Sequence, residues 1–241
     1  MTIAEKMQMY FERHPFMSLT DVIADIFAEE IINFNIFPET ALIVSNVADT
    51  CHVSRTPVKA AFDQLTAEGF LEQKGKKYIV KPFNTEDYLN YYLFRTELEA
   101  KAIRITAECI MPEELEQVKR KKELLNKALA ARSAKAIIGS EVDFHKYIVD
   151  CSHNPYFISA YAGIASQVRR YGIYAVHDVA NHQKYILQHE LIYMSLCLGD
   201  PDACEAAVRA HLSKYPKTYE RDYIPLREKY LKAQTAGKED N

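Results

Sequence analysis

The stretch that decides the fold is Ser54-Arg55-Thr56-Pro57-Val58-Lys59-Ala60-Ala61-Phe62. Ser54 is a residue type that caps helices, because its hydroxyl can accept a hydrogen bond from a backbone N–H of the first turn. Val58, Phe62 and Leu65 recur at helical spacing on one face, and Gly69 supplies the left-handed residue that ends such a helix. The stretch therefore predicts a helix that begins at Ser54, buries an apolar face and exposes a basic, hydroxyl-rich N-terminal side.

The segments on both sides of this helix extend the prediction to a small domain. Residues 47–52 form a short apolar segment that favours a second helix, and two short helices joined by a tight turn are typical of a helix-turn-helix. After Gly69 the pattern changes to two short strands, residues 70–73 and 77–80, around a turn that contains Gly75. A hairpin that follows the second helix predicts a winged helix-turn-helix.

Length and composition place this domain within a larger, mainly α chain. The 241 residues are enough for two domains, and 48% hydrophobic with 26% charged residues is typical of a globular protein. Only 7 glycines and 9 prolines favour helices over an all-β fold, and six or seven further helices are predicted from residue 85 onward. The predicted segments are an N-terminal arm (1–17), a winged-helix domain (18–82), a linker (83–84), an all-helical domain (85–232) and a flexible tail (233–241).

Charge and cysteine content limit the classes of function. A net charge of −3 argues against a protein that coats nucleic acid, yet the segment from Arg55 to Lys81 has six basic residues against three acidic ones. Such a cluster also occurs on solvated faces, but the helix-turn-helix context favours phosphate contacts. Five scattered cysteines suggest neither a disulfide framework nor a zinc ribbon. With no apolar leader and no segment of membrane-spanning length, we expect a cytoplasmic protein without a membrane partner.

A second constellation lies in the helical half. Glu141 and His145 are spaced i and i+4, so both side chains project from one face of a helix. His189 and His211 lie on two later helices joined by a short turn at residues 199–201, and helices connected in this way pack antiparallel. Three imidazoles and one carboxylate suit Zn²⁺, Ni²⁺, Fe²⁺ or Mn²⁺ and leave coordination positions free. The alternative is that each histidine is an ordinary hydrogen-bonded core or surface residue.

The run 54–62, followed in step by Leu65-Thr66-Ala67-Glu68-Gly69, resembles the signature of the GntR family of bacterial transcription regulators. Lys59 stands where the signature usually has arginine, and lysine keeps the charge but not the bidentate geometry. Lys77 stands where the wing normally has glycine. The resemblance implies a set of DNA contacts from the second helix and the wing: Ser54, Arg55, Thr56, Lys59, Lys76 and Lys77.

The segments around His145 and His189 resemble the helical effector domain of the FadR branch of that family, called FCD. Many members of the branch bind a divalent metal through an aspartate, a histidine four residues on, and two further histidines. The resemblance implies metal ligands at Glu141, His145, His189 and His211, with Glu141 in the aspartate position. It also implies that Arg95 contacts an effector carboxylate, although an i, i+4 pair with Glu99 on a solvated face is the alternative.

Together these resemblances imply a ligand-responsive DNA-binding transcription regulator and not an enzyme. Its helical domain would bind a divalent metal and a small carboxylate effector and would form a homodimer, which suits a palindromic operator. We expect a repressor that effector binding releases from DNA. The alternatives are a regulator that senses the metal directly and a metal-dependent hydrolase, although the sequence has no His-Glu-x-x-His motif and no evident general base beside the ligands.

Overall fold

The computed structural model describes residues 2–13, 16–82, 85–177 and 179–213. The chain divides into two compact units, Met1–Phe83 and Asn84–Asn241. The predicted linker at 83–84, the end of the predicted helical domain at 214–232 and the predicted flexible tail at 233–241 lie outside the described residues.

The first unit has the predicted winged helix-turn-helix architecture. Its elements are α1 (Ile3–Arg13), α2 (Leu19–Ile32), β1 (Ala41–Leu42), α3 (Val44–Cys51), α4 (Arg55–Ala67), β2 (Leu71–Lys74) and β3 (Lys77–Val80). The strands form an antiparallel sheet in the order β1-β3-β2, with Lys74 opposite Lys77 at the turn and Ala41 opposite Ile79. Strand β1 was not predicted, because two residues are too few to show an alternating pattern.

The core of this unit joins α2, α4 and β3. Ser18 caps α2, since its hydroxyl accepts a hydrogen bond from the backbone N–H of Asp21 at 3.1 Å. The ring of Phe62 on α4 packs edge to face against Phe27 of α2 and Tyr78 of β3, with centroid separations of 5.1 Å and 5.2 Å. All three rings are buried, so the helix that starts at residue 55 is fixed on one side by α2 and on the other by the hairpin.

The ends of α4 agree with the prediction in part. Gly69 has φ +84°, as predicted for the left-handed residue beyond the helix. Ser54 is the N-cap residue, but its hydroxyl makes no capping hydrogen bond, so that part of the prediction was wrong. The reason is Pro57, which occupies the third helical position and lacks the N–H that a capping hydroxyl usually accepts from.

Most of the segment predicted as an N-terminal arm, residues 1–17, is helical. Residues 3–13 form α1, which packs against α2 and α3 and buries Met7. Thr2 and Glu5 form a reciprocal capping box, in which each side chain accepts from the backbone N–H of the other residue. Lys6 forms an ion pair with Glu30 on α2. The Thr-x-x-Glu pattern encodes this helix start, and the sequence interpretation overlooked it.

Within the described residues the second unit is entirely helical, as predicted. Its elements are α5 (Thr85–Cys109), α6 (Pro112–Ala131), α7 (Ala134–Asp150), α8 (Pro155–His177), a 3₁₀ turn (Val179–Asn181), α9 (His182–Leu198) and α10 (Pro201–Leu212). Helix α5 packs against α7, α8 and α10, while α9 packs against α6 and α10. None of the helices in the described ranges is both long enough and apolar enough to span a bilayer.

Candidate functional site

Three helices of the second unit bring four potential metal ligands together. Helix α7 contributes Glu141 and His145 from one face, α9 contributes His189 and α10 contributes His211. One ligand atom from each residue lies within 4.8 Å of the corresponding atoms of the other three. The short α9–α10 connection makes this possible, because Gly199 adopts φ +62° and reverses the chain between the two histidine-bearing helices.

The three imidazoles converge on the carboxylate of Glu141. Nε2 of His145 lies 3.2 Å and Nε2 of His211 lies 3.5 Å from Oε1 of Glu141, while Nε2 of His189 lies 3.1 Å from Oε2. The exposed fractions of the four residues range from 0% to 6%, so solvent does not satisfy these atoms. Within the described part of the chain, Nε2 of His145 and of His189 and Oε1 of Glu141 have no hydrogen-bond partner.

Two further side chains fix the orientation of the imidazoles. Nδ1 of His145 lies 2.7 Å from Oε2 of Glu99 on α5, and Nδ1 of His211 lies 3.4 Å from Oε1 of Gln188 on α9. Both partners are hydrogen-bond acceptors, so each Nδ1 donates its hydrogen. Nε2 of both rings is then directed at Glu141, and a partner that holds Nδ1 in this way is typical of ligating histidines in metalloproteins.

The protonation states also suit cation binding. Burial lowers the pKa of His211 to about 3, with His189 contributing, and burial likewise lowers the pKa of His189, so both rings are neutral at physiological pH. Burial opposes ionisation of Glu141, but His145 and His189 more than offset it and hold the pKa of this carboxyl well below its usual range. Burial disfavours the charged form of His145, yet Glu99 and Glu141 raise its pKa to about 9. His145 would therefore lose a proton on binding a cation.

The residues present fit a divalent transition metal. The buried Nε2 atoms of His145 and His189 lack hydrogen-bond partners within the described residues, and such atoms are rare in proteins unless they have a ligand. Three imidazole nitrogens with one carboxylate oxygen form a donor set that Zn²⁺, Ni²⁺, Fe²⁺ and Mn²⁺ accept. A third imidazole, that of His211, is held beside them at 4.5 Å between its ring centroid and that of His189.

Arg95 is one of several buried charged side chains that adjoin this cluster. It is 1% exposed, and its Nε lies 2.5 Å from Oε1 of Glu99, while its Nη2 lies 3.7 Å from Oε1 of Glu141. The alternative of an Arg95–Glu99 pair on a solvated face is therefore wrong about the environment, although the pair itself forms. Among the described residues, Nη2 of Arg95 and the buried phenol oxygens of Tyr91 and Tyr161 have no hydrogen-bond partner.

Sequence interpretation missed Glu99 and Gln188 as parts of this site. Glu99 connects Arg95 to His145, because one carboxylate oxygen contacts each of them. In the sequence Glu99 stands between the apolar residues Leu98 and Ala100, and this was the signal that its carboxylate could lie toward the core. Gln188 adjoins His189 in the sequence and reaches His211 on the next helix, which only the helix packing reveals.

The predicted DNA contacts surround a groove on the first unit. Arg55, Thr56 and Lys59 of α4 and Lys76 of the hairpin turn line this groove, together with Val44, Gln73, Gly75 and Tyr78. Ser54 and Lys77 are exposed but do not line it. Within the described residues Arg55 and Lys76 form no ion pair, whereas Nζ of Lys59 lies 2.6 Å from Oδ2 of Asp63.

Comparison with known proteins agrees with the resemblance to the FCD domain that the sequence shows. Residues 90–214, more than half of the chain, match the family model of the FCD domain. The chain is 25% identical over 188 residues to the Nta operon transcriptional regulator of Aminobacter aminovorans, an alignment that covers 76% of this chain and 86% of that protein.

Solved structures show the same fold. McbR/YncC of E. coli matches with a TM-score of 0.66 and 19% identity, covering 86% of this chain and 100% of that one. A GntR transcriptional regulator from Rhodococcus sp. RHA1 matches with a TM-score of 0.65 and 18% identity, covering 85% and 99%. At these identities the likeness is one of fold.

Proposed function

This chain belongs to the FCD domain family and is a GntR-type transcription regulator, and we propose that a divalent metal and a small carboxylate effector in its helical unit control its binding to DNA. The observation that carries the proposal is the convergence of Glu141, His145, His189 and His211 within 4.8 Å in a fully buried place. A regulator rather than an enzyme also fits the first unit, since a winged helix has no role in a metal-dependent hydrolase.

The metal would be held by Glu141, His145, His189 and His211, and when bound it supplies Lewis acidity and positive charge to the site. Glu99 and Gln188 would keep the Nδ1 hydrogens of His145 and His211 directed away from it. The donor set suits Zn²⁺, Ni²⁺, Fe²⁺ and Mn²⁺, so the metal would be one of these four.

The charge balance of the site supports an anionic effector. A divalent cation and Arg95 bring three positive charges, while Glu99 and Glu141 bring two negative ones, and the imidazoles are neutral when they ligate. A buried site with excess positive charge favours an anion, because the low-dielectric surroundings strengthen the attraction. A small carboxylate would neutralise this excess and would give Nη2 of Arg95 the acceptor that it lacks among the described residues.

The phenol groups beside Arg95 support a polar effector. Tyr91 and Tyr161 are buried with hydroxyls that have no hydrogen-bond partner in the described ranges, and their pKa values are raised well above the ordinary value by burial. Neutral phenols are both donors and acceptors, so they can bond to an effector carboxylate and to its other polar groups.

The winged-helix unit would bind operator DNA through the basic groove between α4 and the hairpin. Arg55 is free of ion pairs in the described part of the chain and is suited to bidentate contact with guanine, while Lys59 and Lys76 are suited to phosphate. Ser54, Thr56 and Lys77 would add contacts to the backbone. Effector binding would favour one packing of the helical unit and so release the operator, as a repressor requires.

An exposed apolar stripe on α9 supports a homodimer, which a palindromic operator requires. Four residues follow one another at steps of 4, 3 and 4 and are 47% to 76% exposed: Leu187, Leu191, Met194 and Leu198. This spacing is that of a helix–helix seam, and monomeric proteins rarely leave such a stripe uncovered. A symmetric pair of α9 helices would bury it.

The experiment starts from a duplex that the purified protein selects from a random-sequence library. Operator binding is then titrated after chelation, after addition of each candidate metal, and after addition of metal with a panel of small carboxylates. We expect metal alone to leave the operator bound and one carboxylate class to release it only when metal is present. Full release by metal alone would instead establish direct metal sensing, and an unchanged response after chelation would refute the metal requirement.

A further inference from the structure

Both carboxylate oxygens of Asp63, on α4, accept a hydrogen bond. Oδ2 accepts a hydrogen bond from Nζ of Lys59 at 2.6 Å, and Oδ1 accepts one from the hydroxyl of Tyr78 at 2.5 Å. Lys59 and Asp63 lie on the same face of the helix, one turn apart, while Tyr78 comes from strand β3 of the hairpin. The three side chains therefore connect the helix to the wing at the edge of the basic groove.

This ion pair is more constrained than an ordinary pair on a helix surface. An exposed i, i+4 pair is usually weak, because both side chains must be ordered to hold it. Here the carboxylate is fixed from the other side by Tyr78, which is 2% exposed and packs its ring against Phe62. The hydrogen bonds from Lys59 and Tyr78 lower the pKa of Asp63, so its charge persists at neutral pH.

The Lys59–Asp63 pair lies where it can affect DNA binding. Arg55, Lys59 and Lys76 all line the groove, but of these three only Lys59 is paired with a carboxylate among the described residues. A free lysine on such a surface binds phosphate regardless of the base sequence. A lysine held by a carboxylate contributes less to this general attraction, and the carboxylate itself repels phosphate.

We propose that Asp63 is a positioning residue that raises the sequence discrimination of the DNA interface by restraining Lys59 and opposing phosphate contact at this point. The inference rests on the proposed DNA-binding function and adds a specificity element to it. In the wild-type protein Asp63 would hold Lys59, so that Lys59 contacts phosphate on the operator but not on DNA of other sequence.

The test compares two duplexes, the one selected by wild-type protein from a random library and a scrambled duplex of the same composition. Replacing Asp63→Asn should tighten binding to the scrambled duplex by about twofold to fivefold. For the scrambled duplex, the slope of log K against log salt should steepen by about 0.9, the value of one added phosphate contact. The ratio of affinities for the selected and scrambled duplexes should fall.

Two further variants separate charge from structure. Lys59→Gln combined with Asp63→Asn should abolish the steeper slope, because no lysine is released; a slope that stays steep in the double variant would overturn the proposal. Tyr78→Phe keeps the charge of Asp63 but removes one of the two hydrogen bonds to its carboxylate, so the slope should steepen by less than in Asp63→Asn; a slope changed as much as in Asp63→Asn would assign the effect to the wing. An Asp63→Asn protein with wild-type slope and ratio would also refute the inference, while a wild-type protein that selects no duplex would refute the DNA-binding function itself.

Discussion

Oε2 of Glu99 lies 2.7 Å from Nδ1 of His145, although 46 residues of sequence separate them. The contact fixes the ring of His145 with its Nε2 toward Glu141, and the second oxygen of Glu99 contacts Nε of Arg95. One carboxylate therefore orients a proposed metal ligand and the guanidinium proposed to bind the effector. Any change at Glu99 should affect both functions of the site.

Replacing Glu99→Gln should weaken metal binding by about tenfold to a hundredfold, the usual cost of altering a group that orients a ligating histidine. Glutamine still accepts a hydrogen bond from His145 but does not support its basicity. Metal affinity is measured by competition with a chelator of known strength. The control is Glu97→Gln, an exposed change on the same helix that removes only the contact with Arg209. Equal affinities in the two variants would exclude a role for Glu99.

Replacing His189→Ala or His211→Ala should remove most of the bound metal, because each change deletes one of four converging ligands. Elemental analysis of the purified variants gives the metal content per chain, and circular dichroism checks that the helices persist. His153→Ala is the matched control, since His153 is half exposed and contacts Glu114 rather than the cluster. Wild-type metal content in His211→Ala would place the ion elsewhere.

The sequence was sufficient for the architecture because the decisive signals are local. The apolar spacing around Phe62 and the turn at Gly75 encode the winged helix within 30 residues or so of chain. The predicted capping hydrogen bond of Ser54 does not form because Pro57 lacks the N–H donor. That proline is visible in the sequence, so this error could have been avoided. The contacts of Glu99 could not be predicted in the same way, because its partner comes from another helix and pairing across helices depends on packing.

Replacing Arg55→Ala should reduce operator affinity by about fivefold to a hundredfold, since a bidentate contact with a base contributes about 1–3 kcal/mol. The dimer and the metal content should not change, because Arg55 lies on the exposed face of α4 in the first unit. Fluorescence anisotropy with the selected duplex measures the loss. Arg120→Ala, an exposed arginine on α6, is the control. Retained affinity at moderate salt would show that α4 does not contact the bases.

Replacing Leu191→Glu should convert the proposed dimer to a monomer, because it places a charge in the centre of the apolar stripe of α9. Leu191 is 63% exposed, so the change does not disturb the core of the chain. Analytical ultracentrifugation reports the mass, and binding to a palindromic duplex should weaken in parallel. Leu124→Glu on α6 is a control of similar exposure, 58%. Dissociation by the Leu124 change alone would move the interface from α9 to α6.

Replacing His52→Gly should stabilise the helix-turn-helix. His52 ends α3 with φ +54°, a left-handed conformation that disfavours side chains, and its imidazole is exposed. Relief of this strain exceeds the added entropy of glycine in the unfolded chain, so we expect a gain of up to about 1 kcal/mol. Hydrogen exchange of the α3 and α4 amides measures it, since local opening becomes rarer as the turn is stabilised. Ala60→Gly, an exposed position within α4, introduces the same residue at helical φ and should cost about 1 kcal/mol. A gain in stability for His52→Gly together with a loss for Ala60→Gly would establish strain at residue 52. Faster exchange in His52→Gly would mean that the imidazole itself supports the turn.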